Sequence, residues 1–142
     1  MEIDQQYLEI LDYSGAGYQP LVDFGAWRVA LLRYMDGMHP ENNHQLERHN
    51  ETDEVFVLLK GRGVLIIGGD GSQVSEFAPQ VMEVGKIYNV RCHTWHTILL
   101  SREASVLIVE NQDTGEANSE YLPVPEECRQ QLVEIAGREG ML

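Results

Sequence analysis

Between Ala26 and Glu110 the chain divides into short runs of aliphatic, aromatic and β-branched residues, each closed by a turn signal. Ala26 to Tyr34 (AWRVALLRY), Gln45 to His49, Glu54 to Leu59 (EVFVLL) and Val64 to Ile67 (VLII) read as strands. Gly61-Arg62-Gly63 and Gly68-Gly69-Asp70-Gly71 supply the tight connections between them. Gln73 to Phe77 reads as a further strand that Pro79 stops, because proline cannot donate to a ladder. Val81 to Val84, Ile87 to Val90, Trp95 to Leu100 and Ala104 to Glu110 (ASVLIVE) complete the series. Strands at nearly even spacing, parted by Gly-rich turns, predict an all-β sandwich or barrel. The helix signal is confined to the end. Pro125-Glu126-Glu127 starts a segment whose apolar stripe is Leu132, Val133, Ile135 and Ala136, and Gly137 and Gly140 end it. This helix is expected on the outside of the barrel.

Alternation within the strands places polar groups where chemistry can occur. Glu47 and His49 share one face, because side chains alternate along a strand. If Asn50 to Asp53 form a hairpin loop, Glu54 opens the partner strand close to His49, with Phe56 and Leu58 as an apolar wall behind it. His96 opens a later strand in the same manner, followed on its face by Ile98 and Leu100. Trp95 has the opposite parity and is expected to pack in the core between the sheets. Arg28 with Tyr34, or Arg33 alone, points inward according to the phase of the first strand, and Tyr88 is a further candidate for the pocket wall. His39 and His44 fall in the turn-rich loop MDGMHPENNHQ, as surface residues or as part of a lid, and His93 lies in an exposed bend.

Composition narrows the setting. The 142 residues include 43 % hydrophobic ones, enough for one core. Ten basic against 23 acidic residues leave a formal charge of −13, which repels phosphate backbones and anionic lipid, so neither nucleic acid nor membrane is expected as a partner. The start MEIDQQYLEILDYSGAGYQP is acidic and lacks an apolar core segment, so it does not read as a signal peptide, and a cytoplasmic location is expected. Cys92 and Cys128 form no CxxC pair and are expected to be reduced.

The two polar stretches resemble the two motifs of the cupin superfamily. The first family motif, H-x-H-x4-E-x6-G, is matched in spacing by Glu47-x-His49-x4-Glu54-x6-Gly61. The second, roughly G-x5-P-x-G-x2-H, is matched at Gly85 and His96, with Arg91 and His93 standing where the family has proline and glycine. The resemblance implies one cupin domain over residues 1–142, a double-stranded β-helix (jelly-roll barrel) with a short C-terminal helix at about 125–137. Its barrel core would span about 26–111, preceded by an N-terminal arm over 1–25. It also implies one divalent metal ion (Fe, Mn or Zn) held by His49, Glu54 and His96. Glu47 replaces the family's first histidine and would be either a fourth ligand or a catalytic acid or base. The implied function is a metal-dependent enzyme of lyase or isomerase type acting on a small polar carboxylate- or carbonyl-bearing molecule. An Fe(II)-dependent dioxygenase and a non-catalytic small-ligand-binding cupin are the alternatives. By the same resemblance a homodimer is expected, through Ala26 to Tyr34 and the apolar arm residues Tyr7, Leu8, Ile10 and Leu11.

Overall fold

The computed structural model describes residues 1–43 and 45–141; His44, assigned above to the surface or a lid, and Leu142 lie outside the described residues. The described strands are β1 (Gly17–Phe24), β2 (Trp27–Arg33), β3 (Gln45–His49), β4 (Glu54–Lys60), β5 (Gly63–Ile67), β6 (Ala78–Val81), β7 (Ile87–Val90), β8 (His96–Leu100), β9 (Ser105–Asn111) and β10 (Ser119–Pro123), with helix α1 at Glu126–Arg138. They form two five-stranded sheets, ordered β1-β2-β9-β4-β7 (sheet A) and β10-β3-β8-β5-β6 (sheet B), and every pairing is antiparallel. The all-β jelly-roll expectation and its short C-terminal helix are borne out.

Period-two alternation builds the interior. Along β4 and β9, Phe56, Leu58, Val106 and Ile108 are buried, while Val55, Val57, Leu107 and Val109 are half-buried on the other side. The inward set meets Leu65, Ile98 and Leu100 of sheet B in one core between the sheets. The opposite face of sheet B, through Val64, Ile66 and Leu99, takes Leu132, Ile135 and Ala136 of α1, so the helix lies outside the barrel as expected.

Several expectations are corrected. β6 runs Ala78–Val81, not Gln73 to Phe77, and Pro79 sits inside it, opposite Ile66. Proline is tolerated there because β6 is the edge of sheet B and need not donate outward. Met82 to Val84 are consequently outside any strand. Two further strands lie beyond the 26–111 core: β1, in what was read as an arm, and β10. Trp95 is 2 % exposed but packs with Leu46 and Val74 on the outer face of sheet B, not between the sheets. Its indole N–H donates to the Gly71 carbonyl at 2.7 Å, and the Arg48 guanidinium lies 4.5 Å from its ring centre.

The largest correction concerns the link from His49 to Glu54. β3 and β4 belong to different sheets, so residues 50–53 cross from one sheet to the other and are not a hairpin. Backbone and side-chain bonds staple this crossover to neighbouring loops. Asn50 N–H donates to the Asn118 carbonyl at 2.9 Å. The Asp53 carboxylate accepts from Cys92 N–H at 2.8 Å and Asn89 Nδ2 at 3.0 Å.

Candidate metal centre

The crossover decides how the site is assembled. Because the inner faces of the two sheets oppose each other, His49 and Glu54 approach from opposite walls of the barrel. Glu47 and His96 are direct cross-strand partners on β3 and β8, and His49 is two residues beyond Glu47 on the same face. Donor atoms of Glu47, His49, Glu54 and His96 thus lie within 4.8 Å of one another. The structure brings together all four residues that the motif spacing singled out.

Geometry around Glu54 calls for a cation. Its Oε1 is 3.1 Å from His49 Nε2 and 3.0 Å from His96 Nε2. His96 Nδ1 is 2.9 Å from the Thr94 carbonyl oxygen, which can only accept, so that nitrogen carries the hydrogen. The Nε2 of a neutral His96 therefore aims a lone pair at a carboxylate oxygen. Only a proton or a metal ion makes that contact favourable. His49 is held by Ser119, whose Oγ is 2.7 Å from its Nδ1 and can either accept from that nitrogen or donate to it. Glu47 Oε1 stands farther off, 3.9 Å from His49 Nε2 and 3.8 Å from His96 Nε2. Ligands about 2.0–2.1 Å from a tetrahedral metal are about 3.3–3.4 Å apart, and these separations bracket that value. The two-imidazole, two-carboxylate set, with outer hydrogen bonds fixing both rings, fits a divalent cation such as Fe, Mn or Zn.

Electrostatics agree. Burial alone would push the Glu54 carboxyl up, but hydrogen bonds from His49 and His96 outweigh it and hold the group down at about 2. Burial works to lower the His96 imidazole, and the Glu54 carboxylate overcomes this, leaving it raised. Glu47 is raised by burial and by the charge of Glu54. Sequence reasoning missed Glu110. It lies opposite Glu54 in the β4–β9 ladder, extended by one residue from the Val55–Val109 pair, and opposite Arg28 in the β2–β9 ladder. Burial, followed by the Glu54 charge, pushes its carboxyl up to about 8. The signal was its parity with Val106 and Ile108: a carboxylate heading an apolar row, the same pattern as Glu54 and His96.

The cluster opens into a cavity of about 850 Å³, a size suited to a small metabolite. Ile98, Ile108 and Phe56 form its floor, and Tyr18 and Tyr121 stand at its sides. Both tyrosines come from strands the sequence had not revealed. Ala30 and Leu32 pack inward, so the phase of β2 turns Arg28 to the inner side and Arg33 to the outer. None of Arg28, Arg33, Tyr34 and Tyr88 lines the cavity. Arg28 is engaged by Asp23, Tyr34 lies under the Arg102 guanidinium at 5.0 Å, and the Tyr88 hydroxyl accepts from Glu83 N–H. From the loop over the mouth, Met35, Gly37, Met38, Asn42 and Asn43 reach the cavity, whereas His39 does not. His93 is exposed in the bend, as expected, with φ of 68°. Cys92 and Cys128 are both free thiols, and no described helix is long and apolar enough to cross a membrane.

No protein-family model matches the chain, and no curated protein matches it in sequence. Solved structures do. The Streptomyces nucleoside dehydratase Pac13 superposes with a TM-score of 0.53 at 13 % identity, over 78 % of this chain and 82 % of that one. A protein from Planctomyces limnophilus gives 0.53 at 12 % identity, over 84 % and 94 %. The Fe(II) form of HppE gives 0.51 at 15 %, over 66 % and 48 %. Such identities speak for architecture alone, and together with the two opposed antiparallel sheets they show that this chain has the double-stranded β-helix fold of the cupins.

Proposed function

We propose that the protein is a metal-dependent enzyme of lyase or isomerase type, acting on a small polar molecule bound in the cavity above His49, Glu54 and His96. The observation that carries this reading is the contact of two imidazole Nε2 atoms with one buried carboxylate oxygen at 3.0 and 3.1 Å, which a divalent ion would resolve. A bound metal would supply Lewis acidity toward a carbonyl or hydroxyl oxygen of the substrate. His49, Glu54 and His96, with side chains 3–8 % exposed, are the assigned ligands, while Glu47 at 41 % faces the cavity. Glu47 is assigned to proton transfer at the substrate, with ligation as the alternative. The test is elemental analysis of the purified protein and its variants. His49→Ala and His96→Ala should each lose most of the metal, and Glu47→Gln should keep it while losing turnover. Retention of full metal by His96→Ala would refute the assignment.

A second reading, Fe(II)-dependent oxygen chemistry, is supported by the two-His, one-carboxylate face and by the fold likeness to HppE in its Fe(II) form. Iron in the purified protein with substrate-dependent oxygen uptake would select it; zinc or manganese without uptake would exclude it. A protein that holds no divalent ion under any loading condition would favour a non-catalytic binding role. We assign the protein to a homodimer, because Ile3, Tyr7 and Ile10 of the N-terminal arm are 65 %, 79 % and 89 % exposed. Light scattering at the monomer mass would remove that assignment. The formal charge of −13 disfavours nucleic-acid partners, and two free thiols suit a reducing compartment such as the cytoplasm.

A further inference from the structure

The walls of the cavity carry a charge pattern that metal binding alone does not require. Among the described residues that line it there is no lysine or arginine, whereas Glu47, Glu54 and Glu110 all reach it. The nearest cation in the ladder is Arg28, opposite Glu110. Its charge is already matched: Nε and Nη2 donate to both carboxylate oxygens of Asp23 at 2.7 and 3.1 Å, and the same guanidinium lies against the Tyr18 hydroxyl and beside Glu110, behind the lining residues rather than among them. Apart from His49 and His96 of the cluster, the other polar groups on the wall are uncharged, among them Tyr18, Asn43, Gln45, Thr97, Ser119 and Tyr121. Tyr18 and Tyr121 stand on edge strands of opposite sheets, 39 % and 40 % exposed, and bring uncharged amphipathic side chains to the wall.

A divalent ion held by Glu54, with Glu47 in the same cluster, is largely offset by carboxylates and leaves little net positive charge in the site. An organic anion entering it would leave water and find no counter-charge in the wall, a costly transfer at low dielectric. A hydroxyl or carbonyl oxygen can meet the same ion and the neutral hydrogen-bonding groups without that cost. We propose that the cavity takes an uncharged, hydroxyl-bearing molecule and rejects organic anions of the same size. This rests on the proposed function for the location of the ligand. The absence of a lysine or arginine among the described lining residues does not depend on the metal, so the preference is tested in loaded and in metal-free protein alike.

Three probes that share one ring size separate the possibilities: D-glucose, D-glucuronate and D-glucosamine. Each is titrated into Co(II)-loaded protein, read by the visible bands of the ion, and into metal-free protein, read by the melting temperature. Glucose is expected to perturb both, with glucuronate at least tenfold weaker in each. Glucuronate binding as tightly as glucose would overturn the proposal, as would a tighter grip on glucosamine by the Co(II)-loaded protein or no response to any of the three. Gln45→Lys, at an exposed position on the mouth, should raise glucuronate binding at least fivefold, and no gain counts against the charge argument. Metal content of the same preparation keeps the two readings apart. A protein that holds no metal yet melts higher with glucose than with glucuronate sinks the enzymatic reading and leaves this one standing. A loaded protein that grips glucuronate equally does the reverse.

Discussion

Ser119→Ala tests the centre from outside the ligand set. Ser119 is opposite His49 in the β3–β10 ladder, and its Oγ is 2.7 Å from His49 Nδ1. That contact fixes the ring and keeps Nε2 facing Glu54. Removing the hydroxyl leaves Nδ1 without its partner on a residue only 7 % exposed, so water cannot readily replace it. Loss of such a supporting hydrogen bond typically lowers metal affinity by about 10–100-fold, or about 1.4–2.7 kcal/mol. The control is internal to the site. His96 Nδ1 is held by the backbone carbonyl of Thr94, so Thr94→Ala keeps the acceptor and should leave affinity within about twofold. The assay is competition for Zn(II) against a chromophoric chelator at pH 7.5, with circular dichroism to show that both variants are folded. A folded Ser119→Ala protein with unchanged affinity would refute the reasoning, because either His49 is not a ligand or its ring needs no support.

Other predictions follow from the backbone and from protonation. At Gly61, φ is +79° and an added Cβ would stand 2.6 Å from the Ala104 Cα, whereas at Gly69, φ is +76° with open space around it. Gly61→Ala should therefore cost about 2–5 kcal/mol, combining left-handed strain with overpacking, and Gly69→Ala only the strain of about 1–2; equal urea midpoints for the two would contradict this. His93 adopts φ of 68° at the position where the second cupin motif has glycine. His93→Gly should raise the melting temperature by about 2–3 °C, the relief of strain exceeding the added chain entropy, with metal content unchanged. In metal-free protein, Glu110 (raised to about 8) and His96 (raised) bind protons more tightly when folded than when unfolded. Their stabilisation is fully present below the unfolded values, about 4.5 and 6.5, and is lost as pH rises through the folded ones. Metal-free protein should thus melt lower at pH 8.5 than at pH 5.5, while metal-loaded protein, which needs deprotonated imidazoles, should do the opposite; parallel trends in the two forms would exclude this linkage.

What the sequence disclosed and what it hid divide along one physical line, the difference between central and edge strands. Central strands are buried on at least one face throughout, so their composition is forced toward runs such as EVFVLL and VLII, and these were read correctly. Edge strands answer to a different requirement, that of not pairing with another chain, and they meet it with proline, charge and irregularity. β1, β6 and β10 are three of the four edges; they carry Pro20, Pro79 and Pro123, and β1 adds a register shift between Pro20 and Val22. Two were overlooked and one was displaced, whereas β7, the edge without proline, was found. The consequence reaches the site. The proposed ligands lie on strands β3, β4 and β8, where motif spacing and alternation expose them. Ser119, Tyr18 and Tyr121 ride on the hidden edges, and the position of Glu110 beside Glu54 depends on a ladder register that no local pattern encodes. The Glu47, His49, Glu54 and His96 cluster was therefore legible in the chain, while Ser119 behind His49 and the tyrosines of the cavity wall lie where the avoidance of aggregation obscures the strand signal.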